Sequence, residues 1–357
     1  MYIYILLLLV TLMSVAINEK ISKSPKLIKK DEKYAKFYFL PFLILALFSA
    51  LRYGIGVDYL TYGIHIRNIQ ASSALFNPNM YMEIGFQVLV KFCCLITDDP
   101  IFVMIVMAVL TNFFFLKAIY EQSDNIKLSI FIYITWGYYF FTFNSIRSYL
   151  AISLALYSIR YIKYNKYIQF VIIILIASLF HKSVLICLPF YIIANRKLKS
   201  VHFIYGILIL IAIVLLKNQI ETLIFKIYPS YLGSVYDVDE VSYLNILKGL
   251  AVTGLGLIFY KSMQEKKIFN FYFNLNFFAL LIYCLGYWIP QVSRIGFYFN
   301  ISSIIFIPSF LENLYDSRIR ILGKYICIVL SCGLFIILMI GFYDPALKLL
   351  PYESWCF

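Results

Sequence analysis

Apolar residues run along this chain in stretches separated by short polar segments, near 2–17, 37–51, 101–117, 126–143, 148–162, 168–180, 184–194, 201–217, 245–260, 271–289, 294–312 and 322–343. Most approach the roughly 20 residues that a helix needs to cross the hydrocarbon core of a bilayer. Two fall well short. The run at 168–180 makes about 20 Å of helix and the run at 184–194 rather less. Between them stand His181, Lys182 and Ser183. An ionisable residue at membrane depth is costly and marks a functional site by default, so this interruption is where chemistry is sought first.

Composition agrees with that pattern. With 62% hydrophobic and only 14% charged residues, the chain reads as an all-α polytopic integral membrane protein, one transmembrane domain over 1–357. The longest polar stretch, 52–83, is too short and too aromatic for a separate globular unit. We read 52–100 as an outer loop carrying a short interfacial helix at 84–96, and 218–244 as a second outer loop. The first stretch lacks a basic flank ahead of it and has one behind it, which fits a retained helix with its N-terminus outside. The seven cysteines, Cys93, Cys94, Cys187, Cys284, Cys327, Cys332 and Cys356, lie mostly in apolar runs without metal-ligand spacing and read as small hydrophobes. Trp136, Trp288 and Trp355, with the many tyrosines and phenylalanines, suit interfacial belts.

The net charge of +13 changes the picture once its placement is considered. Lysines crowd 18–36, and basic clusters recur at 160–166, 196–199, 261–267 and 318–324. Short basic loops stay in the cytoplasm, so these segments report topology and not nucleic-acid binding. Alternating from them puts Arg52, the turn at 144–147, His181, Pro290 to Arg294 and the C-terminal segment outside. The segment 84–96, with Lys91 inside it, is then a non-crossing element. Because 163–166 and 196–199 are both inside, 168–194 must be a hairpin, short and re-entrant in character, with His181 at its outer tip. The expectation is about twelve crossings with both termini outside.

Topology sorts the polar residues. On the outer side fall Arg52, Asp58, His65, Arg67, Glu83, Asn144, Arg147, His181, Lys182 and Arg294. Arg52, Arg147 and Arg294 sit at the ends of apolar helices, where the positive-inside rule disfavours them. A guanidinium fork matches phosphate oxygens, so an anionic ligand would account for all three; snorkelling, or pairing with Asp58 or Glu83, would account for any one. The segment from Arg52 to Tyr59 carries Gly54 and Gly56 and fits a helix cap and turn as well as a close ligand approach. Asp237-Val238-Asp239 has the spacing by which some glycosyltransferases hold a divalent ion, but two acids in a polar loop are more often merely solvated, and no metal or other cofactor is expected.

Taken together, LRYGIGVDYLTY at 51–62, MEIGF at 82–86, FNSIRSYLAISLALYSIRYI at 143–162, ASLFHKSVLICLPFY at 177–191, VSRIGFYFNISSIIFIP at 292–308 and Leu350-Pro351-Tyr352 resemble the EpsG/Wzy family of polysaccharide polymerases. The match runs in order along nearly the whole chain. Two positions depart from the pattern, Ser148 where glutamine is expected and Val57 where threonine is. The resemblance implies a GT-C-like glycosyltransferase of the bacterial inner membrane with its active site facing outward. Its substrates would be oligosaccharide repeat units on undecaprenyl pyrophosphate, delivered by a flippase, with a chain-length regulator as a further partner; the products would be O-antigen, capsule or exopolysaccharide. Such a reaction needs cations for the leaving pyrophosphate and an acceptor for the proton of the attacking hydroxyl. His181 and Asp58 are the candidates for the second task, Arg52, Arg147 and Arg294 for the first. Glu83, Asn144, Tyr53 and Tyr59 are candidate sugar or supporting contacts. A transporter of the same lipids and a membrane sugar acyltransferase remain alternative readings; against the transporter, the two halves show no repeat.

Overall fold

The computed structural model describes residues 1–22, 39–80, 82–196, 200–227, 242–260, 266–287, 292–345 and 347–355. Among them the chain is helical, without a strand. Helices α1 (Tyr2–Ser22) and α2 (Phe39–Ala50) are followed by two short ones, α3 (Tyr59–Ala71) and α4 (Ile84–Cys94). Next come α5 (Pro100–Gln122), α6 (Ile126–Thr135), α7 (Tyr138–Phe141) and α8 (Ile146–Lys163). Then α9 (Tyr167–Ser178), a 3₁₀ turn over Lys182–Ile186 and α10 (Cys187–Ala194) form the hairpin, with Tyr191 stacked back on Phe170. The rest comprises α11 (Ser200–Leu215), α12 (Lys217–Ile227), α13 (Tyr243–Phe259), α14 (Lys266–Cys284), α15 (Ser293–Asn300), α16 (Ser303–Glu312) and α17 (Ser317–Gly341).

Among the described residues, four segments are long and apolar enough to cross a membrane: Tyr2–Glu19, Pro100–Gln122, Ser293–Glu312 and Ser317–Gly341. The other apolar helices are shorter. Capping sets several starts. Asp99, Asn125 and Asp316 each accept a bond from a backbone N–H in the first turn, relieving donors that helix ends leave unpaired. At the centre stands α8, buried on every side from Ile146 to Ile159 except at Ser148. Its Ser153 and Ser158 return their hydroxyls to their own helix, and with Ala151 and Ala155 they allow close approach of α5 and α9.

Three departures from the sequence reading have visible causes. The stretch 126–143 is not one helix: Gly137 takes a left-handed φ of +83° and separates α6 from α7. The freed carbonyl of Trp136 accepts a bond from Lys248 Nζ at 3.3 Å, and that ammonium also lies over the Trp136 and Tyr138 rings. The polar stretch 52–83 contains the regular helix α3. The first part of 218–244 continues as α12; residues 228–241, including Asp237 and Asp239, lie outside the described residues, as do Lys23 to Lys36, Lys197, Lys199, Lys261, Pro290, Trp288 and Cys356.

The bundle has two chemically distinct ends. At one, Arg160 pairs with Glu121, Lys324 lies 2.6 Å from Glu312, and Asn313 donates to Asp124. At the other, the segment after α17 folds across α1, α2 and residues 51–56. Tyr352 Oη donates to Phe48 O, Trp355 Nε1 to Ala50 O, Tyr53 N to Glu353 O and Gly56 N to Lys348 O. His181 is at this second end.

Candidate functional site

Three chain segments meet over the start of α8, and a glycine lies behind each of two junctions. Gly56, at φ +98°, sits so close to α8 that a Cβ would lie 2.6 Å from Phe143 O. That approach brings Val57 N to 3.3 Å from Asn144 Oδ1, and Ser145 Oγ donates to Asp58 Oδ2 at 3.3 Å. Gly85, in the first turn of α4, donates its N–H to Leu179 O at 2.8 Å, where a Cβ would stand 2.7 Å from the same oxygen. This junction fastens α4 to the hairpin tip and sets Glu83, the residue before α4, beside His181.

The result is a charged group centred on Glu83. One carboxylate oxygen accepts a bond from Arg147 Nη1, and the other lies 3.3 Å from His181 Nδ1. Both members of the ion pair are nearly buried, with side chains 9% and 12% exposed. Arg147 is held from the sides by the rings of Tyr62 and Phe86, 5.8 and 5.9 Å from its guanidinium carbon. Its Nε donates to Tyr62 Oη at 3.5 Å. The hairpin is tied down by Ser183 Oγ, 2.9 Å from Tyr298 Oη, and by Tyr191 Oη, which donates to Tyr298 O. Arg294 lies one turn before Tyr298 on α15, close enough for its charge to act on His181.

These surroundings set the protonation of His181. Burial, then Arg147 and Arg294, push its imidazole down from the ordinary 6.5 to about 4. Glu83 does not reverse this: its charge is already matched by Arg147, and Nδ1 is not aligned to bond with it. The ring is neutral at pH 7 and keeps 30% of its surface open. A neutral, partly accessible imidazole can take a proton. His65 on α3, one turn from Tyr62, is lowered as well, by burial and then by Arg147.

Glu83, Arg147, His181 and Arg294 thus come together, with Asp58 joined to them through Ser145 at the start of α8. Arg52 stands apart from this group. It is buried, donates to Ser49 O and to Ser49 Oγ at 3.1 Å, and stacks on Phe143 at 4.8 Å. Asn144 serves as the clip on Val57. Tyr53 is half exposed and meets the edge of Tyr59, whose buried hydroxyl finds no partner among the described residues. Arg67 and Lys182 are exposed.

Tyr62, Phe86 and Ser145 are not candidates on sequence grounds. Tyr62 carries a signal, since it falls four residues after Asp58 and three before His65, on one face of a helix. Reading 52–83 as loop leaves that spacing unused.

A family model described as the EpsG family matches residues 35–354. No curated protein and no solved structure matches the chain.

Proposed function

The chain belongs to the EpsG family, and from that premise we propose that it is a glycan polymerase of the bacterial inner membrane, crossing it about twelve times with the His181 end facing outward. It joins oligosaccharide repeat units carried on undecaprenyl pyrophosphate. The hydroxyl of an incoming lipid-linked unit attacks the anomeric carbon of the growing chain. A glycosidic C–O bond forms, the bond from that carbon to the pyrophosphate oxygen breaks, and undecaprenyl pyrophosphate leaves with the electron pair.

The observation that carries this reading is the single carboxylate of Glu83 set between Arg147 and His181. His181 is the base. Its Nε2 takes the hydroxyl proton, while Glu83 holds Arg147 beside the ring and lies 3.3 Å from Nδ1. Arg294 and Arg147 face the developing charge of the leaving pyrophosphate, where donors fixed in a partly dehydrated site act strongly. Asp58, at the start of α3 and bonded to Ser145, orients the acceptor sugar. Tyr53 supplies a ring face for the sugar with Tyr59 packed behind it, and Arg52 supports the 52–58 segment from beneath. A flippase supplies the substrate, a chain-length regulator limits the product, and the chain's own residues suffice without a cofactor.

Deletion in the native host tests the reaction class. Loss of a polymerase leaves surface glycan carrying one repeat unit, whereas loss of a flippase leaves none. A deletion that removes even the single unit, with the flippase intact, contradicts the proposal. A deletion that changes only sugar acylation points to the acyltransferase reading.

A further inference from the structure

An apolar groove runs along the face shared by α1 and α2. Its volume is about 760 Å³. On α1 the walls are set by Leu6 and Val10, and on α2 by Leu47 and Leu51. These residues, with Ile3 and Ile44, repeat at three, four and seven positions, the spacing of one helix face. Seven residues of each helix span about 10 Å, so the groove occupies about a third of a 30 Å hydrocarbon core. Its floor includes Phe48 and Tyr352, stacked at 4.2 Å. It ends at Tyr53 and Glu353, where the segment leading to Asp58 begins.

We propose that this groove holds the head-proximal part of the polyprenyl chain of a lipid-linked substrate. The inference rests on the polymerase reading, which requires two polyprenyl carriers at one site. Three observations favour this occupant. The groove opens at the same end of the bundle as His181. It is continuous with the 52–58 segment, since Tyr53 lines it and also touches Tyr59 of α3 at 5.9 Å. Between α1 and α2 its lining is apolar along its whole length, Ile3, Leu6, Leu7 and Val10 facing Ile44, Leu47 and Phe48, as a hydrocarbon chain requires. Glu353 at the mouth is exposed and opposes a phosphate there, so the groove takes the hydrocarbon alone and the phosphate lies beyond it.

The test uses full-length protein in nanodiscs and undecaprenyl phosphate, without sugar, as the probe. Leu47→Trp fills the groove, and Leu47→Ala removes part of its wall with less risk to folding. Leu330→Trp, on the exposed face of α17, is the control. Leu47→Trp should weaken binding by about tenfold or more and Leu47→Ala severalfold, in keeping with the apolar surface that the bound chain would no longer cover; the control should bind as the parent does. Undecaprenyl-linked repeats should follow the same order, with KM raised in both Leu47 variants and unchanged in Leu330→Trp. Unchanged binding in both Leu47 variants, or displacement of the probe by equimolar phosphatidylglycerol, overturns the assignment. Binding that follows these expectations in a protein that never polymerises would overturn the reaction and leave the groove standing.

Discussion

His181 gains its chemistry from neighbours distant in sequence. Alone it would titrate near 6.5; burial and two arginines bring it to about 4. Two consequences of opposite appearance follow. In the proposed mechanism the neutral ring is the active form, so kcat/KM should stay flat from pH 8 down through pH 6.5 and fall only as pH approaches 4, measured as a pH–rate profile. Stability behaves differently. Between 6.5 and 4 the unfolded chain binds a proton that the folded chain does not, so acidification through that window favours unfolding. His181→Gln should flatten that part of the stability curve, read from thermal unfolding at stepped pH. An acid limb centred at 6.5 in the parent protein would show that neither burial nor the arginines act on the ring. Much of this group is legible in the sequence, because an interrupted apolar run exposes His181 and basic loops predict that it shares an end with Arg147. The partner of Arg147 is not. Snorkelling, an anionic ligand, and either Asp58 or Glu83 all fit the residue, and only the packing of α4 against the hairpin selects Glu83.

At the scale of elements, two close backbone approaches hold the site. Gly56→Ala places a methyl 2.6 Å from a backbone oxygen at φ +98°, and Gly85→Ala places one 2.7 Å from Leu179 O. Neither oxygen can withdraw without moving a helix. Both substitutions should abolish elongation and lower thermal stability. Gly63→Ala on α3 meets nothing within 4 Å and should stabilise that helix by up to about 1 kcal/mol through helix propensity. Equal behaviour of the three in activity and unfolding assays would contradict the account. The element boundaries show what hydropathy hides. Apolar runs locate the apolar helices, but the break at Gly137 is invisible in a stretch that stays hydrophobic throughout. Lys248, which closes that break, lies in a run that reads as an ordinary span. Helix α3 escapes a hydropathy reading because its sequence is mixed, with Leu60 and Ile64 exposed and Tyr62 and Ile66 buried.

For the whole molecule, the division into two ends is the feature on which function depends. Loop charge alone predicts it, and the folded chain gathers Arg160, Glu121, Lys324 and Glu312 at one end and Glu83, Arg147 and His181 at the other. In a cysteine-free background, Lys182→Cys should react with a membrane-impermeant maleimide added to intact cells, and Lys166→Cys only after permeabilisation. The reverse pattern would place the site in the cytoplasm and end the proposal that it meets flipped substrate. The tail from Phe342 onward, which pins residues 51–56, is legible only as the family motif Leu350-Pro351-Tyr352; nothing in its local sequence says that it returns to α1 and α2.

The most direct measurement is elongation of defined undecaprenyl-pyrophosphate-linked repeats by purified protein, with parent and His181→Ala compared at about pH 7.5, where the histidine base is neutral. The parent should build a ladder and release one undecaprenyl pyrophosphate per bond formed. His181→Ala should bind the lipid as well as the parent does and elongate it about 10²- to 10⁴-fold more slowly, the usual worth of a positioned base. A ladder of parental length and rate from His181→Ala would contradict the assignment of the proton to this histidine.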